Sequence, residues 1–300
     1  MEQADALRRA AAFWDERTRQ PSKVSRWWSC EPVLRHVNRM ICGRDVAGTL
    51  TAGVAAALRD AGGPFERAVS VGCGTATKER ALVRDGVVKH FTLHEISQER
   101  LAAARTNFER ARLSHGADFK AVNAFDDDTP DRFDVVHWNS SLHHMFDVDA
   151  ALAWSRRVLK PGGVIVIYEY IGPTRFQWPD RALNWIETVR KSLPQEILER
   201  VGKPGQFVPT RVRRPDPEKL KAADPSEAAD SDRIIPCATK HFPDGRWTML
   251  GGMIYAIALN DIIGNFDTLD RPDLLQACLH ADQALSILGD NHSGFFLARK

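Results

Sequence analysis

The chain has no Cys-x-x-Cys pair, no zinc-ligand spacing, no internal repeat and no low-complexity tract. Its five cysteines, Cys30, Cys42, Cys73, Cys237 and Cys278, are scattered and odd in number. That argues against a disulfide framework and for a reducing compartment. Neither sign of charge is in excess: 41 Lys and Arg against 39 Asp and Glu leave +2. A dedicated nucleic-acid binder carries a clear basic surplus, so that class is disfavoured. Long apolar runs are missing too. The longest, residues 253–263, is broken by Asn260 and Asp261 and is too short to span a bilayer. The charged N-terminus lacks a signal peptide's apolar segment. These absences predict a soluble cytoplasmic protein with no membrane or nucleic-acid partner. What remains is 300 residues, 43% apolar and 27% charged, enough for one large domain or two small ones with a full core.

Residues 1–60 read as a helical arm, with an alanine-rich stretch at 4–13, apolar recurrence at Val33, Leu34, Val37, Met40 and Ile41, and another helical stretch at 47–58. The rhythm then changes. Short apolar runs at 68–71, 91–94, 119–122, 133–138 and 164–168 read as buried strands, alternating with helical patterns such as 99–112 and 148–159. Such alternation implies parallel βαβ units and a doubly wound α/β sheet. A turn is expected at Lys160-Pro161-Gly162-Gly163. Residues 172–238 break the rhythm with dense proline and charge. They read as an inserted cap, with helical pieces expected at 180–193 and 226–235. A strand at 246–250, helices at 252–266 and 272–288 and a closing strand at 293–298 complete the pattern. The core is therefore assigned to 61–171 and 239–300.

The chemistry concentrates at Val69-Ser70-Val71-Gly72-Cys73-Gly74-Thr75-Ala76. Glycines at 72 and 74 allow a sharp turn after a strand and close approach of backbone to a ligand. Glu95 follows Gly72 by 23 residues and ends the next strand, the spacing of a nucleotide-binding βαβ unit whose carboxylate accepts from ribose hydroxyls. The plainer reading of Glu95 is a solvated cap on the following helix. A dehydrogenase would want a third glycine where Thr77 stands.

Five segments in order now point to one family. They are Val71-Gly72-Cys73-Gly74-Thr75, His94-Glu95-Ile96-Ser97, Phe133-Asp134-Val135-Val136, Asn139-Ser140-Ser141-Leu142-His143-His144 and Leu159-Lys160-Pro161-Gly162-Gly163-Val164. They resemble the glycine loop, ribose-binding strand end, fourth strand, following loop and pre-strand turn of class I S-adenosylmethionine-dependent methyltransferases. The resemblance covers about residues 65–170. It implies a Rossmann-like, mostly parallel seven-stranded sheet with the helical arm before it and the cap after strand five. It also implies S-adenosylmethionine as cofactor and S-adenosylhomocysteine as product. By resemblance, Ser70, Gly72, Cys73 and Gly74 border the cofactor's amino-acid portion, and Glu95 with Ile96 its ribose. Asn123, Ala124 and Phe125 border the adenine, and the Asn139 backbone carbonyl lies by the reactive methyl. Three positions depart from the family pattern. Ser70 and Asn123 stand where an acid is usual, and Ala76 replaces a loop glycine, which suits it only if its φ is negative.

Methyl transfer is an in-line displacement that alignment and exclusion of water accelerate, and a hydroxyl acceptor also needs a base. His143 and His144 follow strand four at the edge where open α/β sheets bind ligands. Glu169 and Tyr170 end strand five on that edge. These make His143, His144 and Glu169 the catalytic candidates. Trp27, Trp28, Tyr170, Arg175, Phe176 and Trp178 are the substrate-binding candidates; anchoring of the cap is the alternative for the aromatic and Arg175 set. The expected reaction is methylation of a small-molecule or glycan-like acceptor, at oxygen, without a metal. A non-catalytic binding module of the same fold and an RNA or protein methyltransferase are the other readings, and a homodimer remains open.

Overall fold

The computed structural model describes residues 2–19 and 26–300, so residues 1 and 20–25 of the predicted arm lie outside the described part. Three helices open the chain: α1 (Glu2–Arg19), α2 (Glu31–Cys42) and α3 (Thr51–Asp60). The core follows as β1 (Phe65–Val71), α4 (Thr77–Arg84), β2 (Val88–His94), α5 (Gln98–Arg110), β3 (Ala117–Lys120), β4 (Phe133–Asn139), α6 (Val148–Val158) and β5 (Leu159–Tyr170). The intervening segment holds α7 (Asp180–Ser192), α8 (Pro217–Ala223) and α9 (Ile234–His241). The chain closes with β6 (Arg246–Gly251), a π-helical turn at Met253–Ala258, α10 (Asn265–Thr268), α11 (Pro272–Ile287) and β7 (Ser293–Arg299). No helix among the described residues is long and apolar enough to cross a membrane.

Strand order is β3-β2-β1-β4-β5-β7-β6. The first five strands pair in parallel, whereas β7 runs antiparallel to both β5 and β6. Consecutive buried residues Ala68-Val69-Ser70-Val71 are what a strand covered on both faces requires. One apolar layer joins α2–α5, α7 and α11; the other joins α6 and α9. Local chemistry sets several helix ends. Ser97 caps α5 by accepting from Arg100 N, and Asp147 caps α6 by accepting from Ala150 N. Gly43 closes α2 at φ +72 with its N–H on Arg39 O.

Four local expectations change. The Lys160–Gly163 turn is absorbed into β5: β4 advances from Phe133 to Val135 while β5 advances from Leu159 to Val164. This bulge is held by Gly162 N to Lys300 O and Lys300 N to Gly163 O. The helix expected at 226–235 begins only after residue 230, because Pro225 and Glu227 give their carbonyls to the Arg175 guanidinium and Ala228 is left-handed at φ +46. The helix expected at 252–266 is interrupted after Ala258. There Arg190 takes the carbonyls of Ala258 and Ile257, and Asp261 sits at φ +69. Ala76 has φ +49, so the left-handed turn before α4 is kept without the glycine, at a cost of about 1 kcal/mol or more.

Candidate active site

All parallel strands end on one edge, and two cavities open there. The first, about 210 Å³, lies beyond β1 and β2. Gly72, Glu95, Ile96, Asn123, Ala124 and Phe125 line it, together with Leu7, Ala10 and Trp14 from α1. The second, about 670 Å³, is walled by Trp27, Trp28, Tyr170, Phe176 and His292, with Lys78, Arg80 and Arg84 of α4. Ser140 lines both cavities; His143 faces the second and His144 the first. Sequence adjacency thus puts the two imidazoles on opposite sides of one wall.

Glu95 is buried at the rim of the first cavity. Its carboxylate accepts Gly74 N–H at 2.8 Å and Ser97 N–H at 2.9 Å. Burial raises its pKa, against the pull of those two N–H groups. A Cβ at Gly72 would lie 3.0 Å from Ser141 Cβ, so glycine keeps this wall open. Arg100 stacks its guanidinium 3.8 Å from the Trp14 ring centroid. Asp15 ties α1 to this region by accepting from Ser97 Oγ at 2.5 Å and Glu99 N at 3.2 Å.

Four cofactor candidates, Ser70, Cys73, Gly74 and Asn139, do not line the first cavity; Gly74 is tied to it through its N–H on Glu95. Strand alternation turns Ser70 toward α4, where its hydroxyl donates to Glu79 Oε1 at 2.8 Å; Glu79 also pairs with His137 Nδ1 at 3.1 Å. Ser70 therefore belongs to a buried network behind the sheet edge. The Asn139 carbonyl accepts Lys78 Nζ at 3.0 Å, and Asn139 lines neither cavity. Cys73 lies in the glycine loop, where burial raises its thiol pKa.

The catalytic candidates form one cluster with unequal roles. Glu169 is fully buried, and its oxygens accept from Ser141 N, Leu142 N, Tyr170 N and His143 Nδ1, the last at 2.5 Å. It positions the loop after β4 and has no surface left for a substrate. On its other side His143 Nε2 faces Glu227 Oε1 at 3.5 Å. Burial opposes charge on His143, yet the two glutamates raise its pKa to about 10. Burial and the neighbouring His143 lower that of His144 to about 4. Their rings lie 4.1 Å apart.

Among the substrate candidates, Arg175 and Trp178 are structural. Arg175 holds the carbonyls of Glu227 at 2.6 Å and Pro225 at 2.8 Å, and Trp178 is buried against Phe176. The Tyr170 hydroxyl donates to Pro173 O at 2.7 Å, so its ring alone faces the cavity. Sequence reasoning missed Lys78, Arg100, Glu227 and His292. Trp14 was findable, since Leu7, Ala10 and Trp14 repeat at helical spacing. Glu227 carried no local signal.

This geometry can be set against known proteins. Residues 69–167 match the methyltransferase domain family. A demethylmenaquinone methyltransferase of Streptomyces avermitilis is 30% identical over 131 residues, 44% of this chain and 52% of that protein. A ubiquinone biosynthesis O-methyltransferase of Serratia proteamaculans is 26% identical over 173 residues, 57% of this chain and 66% of that protein. The matches span between 31% and 66% of the length of such relatives. Among solved structures, phosphoethanolamine N-methyltransferase 2 of Haemonchus contortus in complex with S-adenosyl-L-methionine shares the fold. It aligns with TM-score 0.51 at 16% identity, over 82% of this chain and 52% of that chain. The seven-stranded, mostly parallel sheet is the Rossmann-like fold of that methyltransferase structure. The family match covers residues 69–167, a third of the chain, and lies within the parallel core from β1 to β5.

Proposed function

We propose that this chain transfers a methyl group from S-adenosylmethionine to an oxygen of a small-molecule or glycan-like acceptor. The observation that carries this reading is the pair of cavities meeting at Ser140, His143 and His144. The first cavity suits the cofactor. Glu95 lies where ribose hydroxyls can be accepted, Gly72 leaves room for the amino-acid portion, and Ala124 and Phe125 offer an apolar wall to adenine. When bound there, S-adenosylmethionine supplies a methyl carbon already activated by its sulfonium.

The chain's own residues align and enclose. Trp14 and α1 shield the first cavity from water. Trp27, Trp28, Tyr170 and Phe176 offer ring faces to the acceptor, and Lys78, Arg80 and Arg84 offer positive charge. His143 stands at the junction, oriented by Glu169 and facing the second cavity. In this reading residues 172–238 are an acceptor-selecting cap on a core of 61–171 and 239–300, with 1–60 as a covering arm. The related quinone and O-methyltransferases named above favour a small acceptor.

Calorimetry with S-adenosylhomocysteine tests the cofactor half, and labelled methyl transfer into a cell metabolite extract tests the other. Glu95→Ala should weaken S-adenosylhomocysteine at least about tenfold, the loss of a charged hydrogen bond of about 1.5–3 kcal/mol. No binding by the unsubstituted protein would sink the proposal.

A further inference from the structure

We propose that His143, His144 and Glu227 form a binding site for one divalent first-row transition ion, between the two cavities. One ligand atom from each residue falls within 4.8 Å of the other two. The hydrogen-bond pattern says which ring atoms are free to serve. Ser226 Oγ lies 2.6 Å from Asp224 Oδ1, and a carboxylate has no proton to give, so the hydroxyl donates there. The same Oγ lies 3.1 Å from His144 Nδ1, which must then be the donor in that contact. His144 is therefore fixed with hydrogen on Nδ1 and a lone pair on Nε2. Glu169 Oε2 fixes His143 in the same way through its Nδ1. A carboxylate or hydroxyl behind Nδ1, with Nε2 turned forward, is how ligating histidines are oriented around metals.

Charge points the same way. Glu169 is fully buried and Glu227 largely so, and among the described residues neither has a lysine or arginine within ion-pair distance; His143 alone joins them. A divalent cation on Nε2 and Glu227 would balance the two carboxylates fully, where one protonated imidazole leaves the cluster with a net charge of −1. Two imidazoles and one carboxylate suit zinc, iron, cobalt or manganese better than calcium or magnesium. Three protein ligands also leave a coordination position for an outside oxygen. That oxygen being the acceptor's is the one point that rests on the function proposed above.

The test uses untagged, full-length protein stripped with EDTA. Zinc chloride is titrated by calorimetry, and cobalt chloride by visible absorption. The expected result is one equivalent of zinc and a cobalt spectrum of low coordination number. Glu227→Gln should weaken zinc by at least about 100-fold, and Ser226→Ala, which removes only the support behind His144, by about tenfold. Circular dichroism checks that each variant is folded; if Glu227→Gln is not, Ser226→Ala decides alone. Absence of stoichiometric zinc binding, or equal binding by the folded variants, overturns the site. S-adenosylhomocysteine is titrated into the same metal-free protein, so loss of the metal claim and loss of the cofactor claim are read separately.

Discussion

Restoring the family's acid at position 70 should harm this protein, by an amount the structure allows to be worked out. Ser70 Oγ lies 2.8 Å from Glu79 Oε1, and both residues are buried. Ser70→Asp would set two carboxylates about 3 Å apart, where they cannot both be ionised. One must keep its proton. From an unfolded pKa of about 3.9, that costs about 4 kcal/mol at pH 7 and about 1.5 kcal/mol at pH 5, at 1.36 kcal/mol per unit. The sign follows: the folded pKa is raised, so stability falls as pH rises. With an unfolding entropy of about 2.1 cal/mol/K per residue, the midpoint should drop by roughly 6 °C at pH 7. Adding Glu79→Gln removes one charge and offers an amide donor, so the double variant should recover most of the loss. Urea unfolding at pH 5 and pH 7 completes the cycle. A penalty below about 1 kcal/mol, a penalty independent of pH, or no recovery in the double variant would refute the reasoning.

Three further outcomes are expected. Asp282 is buried under the backbone N–H groups of Gly252 and Ile254, and burial raises its pKa from 3.8 to about 6. Its folded pKa exceeds its unfolded one, so stability should fall by about 3 kcal/mol as pH rises from 4 through 6, and Asp282→Asn should flatten that part of a urea-unfolding series. Trp14→Ala removes the ring over Arg100 and part of the cofactor-cavity wall. It should weaken S-adenosylhomocysteine about tenfold with little change in midpoint, and unchanged affinity would take α1 out of the site. Arg175→Ala frees the carbonyls of Pro225 and Glu227. It should cost about 2 kcal/mol in denaturant unfolding and lower methyl transfer while leaving S-adenosylhomocysteine binding intact.

The parallel core was legible because it is written locally. Runs such as Ala68–Val71 declare a strand buried on both faces, and Gly72 and Glu95 mark the sheet edge where the first cavity opens. Resemblance places Ser70 at the cofactor, but strand alternation turns it away from the edge toward Glu79, a contact that only the packing of α4 makes visible. The interrupted helices had another cause. Arg175 and Arg190 take backbone carbonyls from segments about 50 and 68 residues away, and a periodicity window does not see a guanidinium at that distance. Glu227 was hidden for the same reason. It meets His143 only because Arg175 holds the 224–227 loop against the loop after β4.

The Arg175 clamp bears on how this chain could be re-engineered. Residues 172–223 can be regarded as an exchangeable module, but Asp224, Ser226 and Glu227 cannot, since they set the tautomer of His144 and face His143. A chimera joined upstream of residue 224 and retaining Arg175 would change the second cavity only at Phe176 and keep the histidine pair intact. One joined downstream of 227 would remove Asp224, Ser226 and Glu227 and dismantle the junction in the same cut.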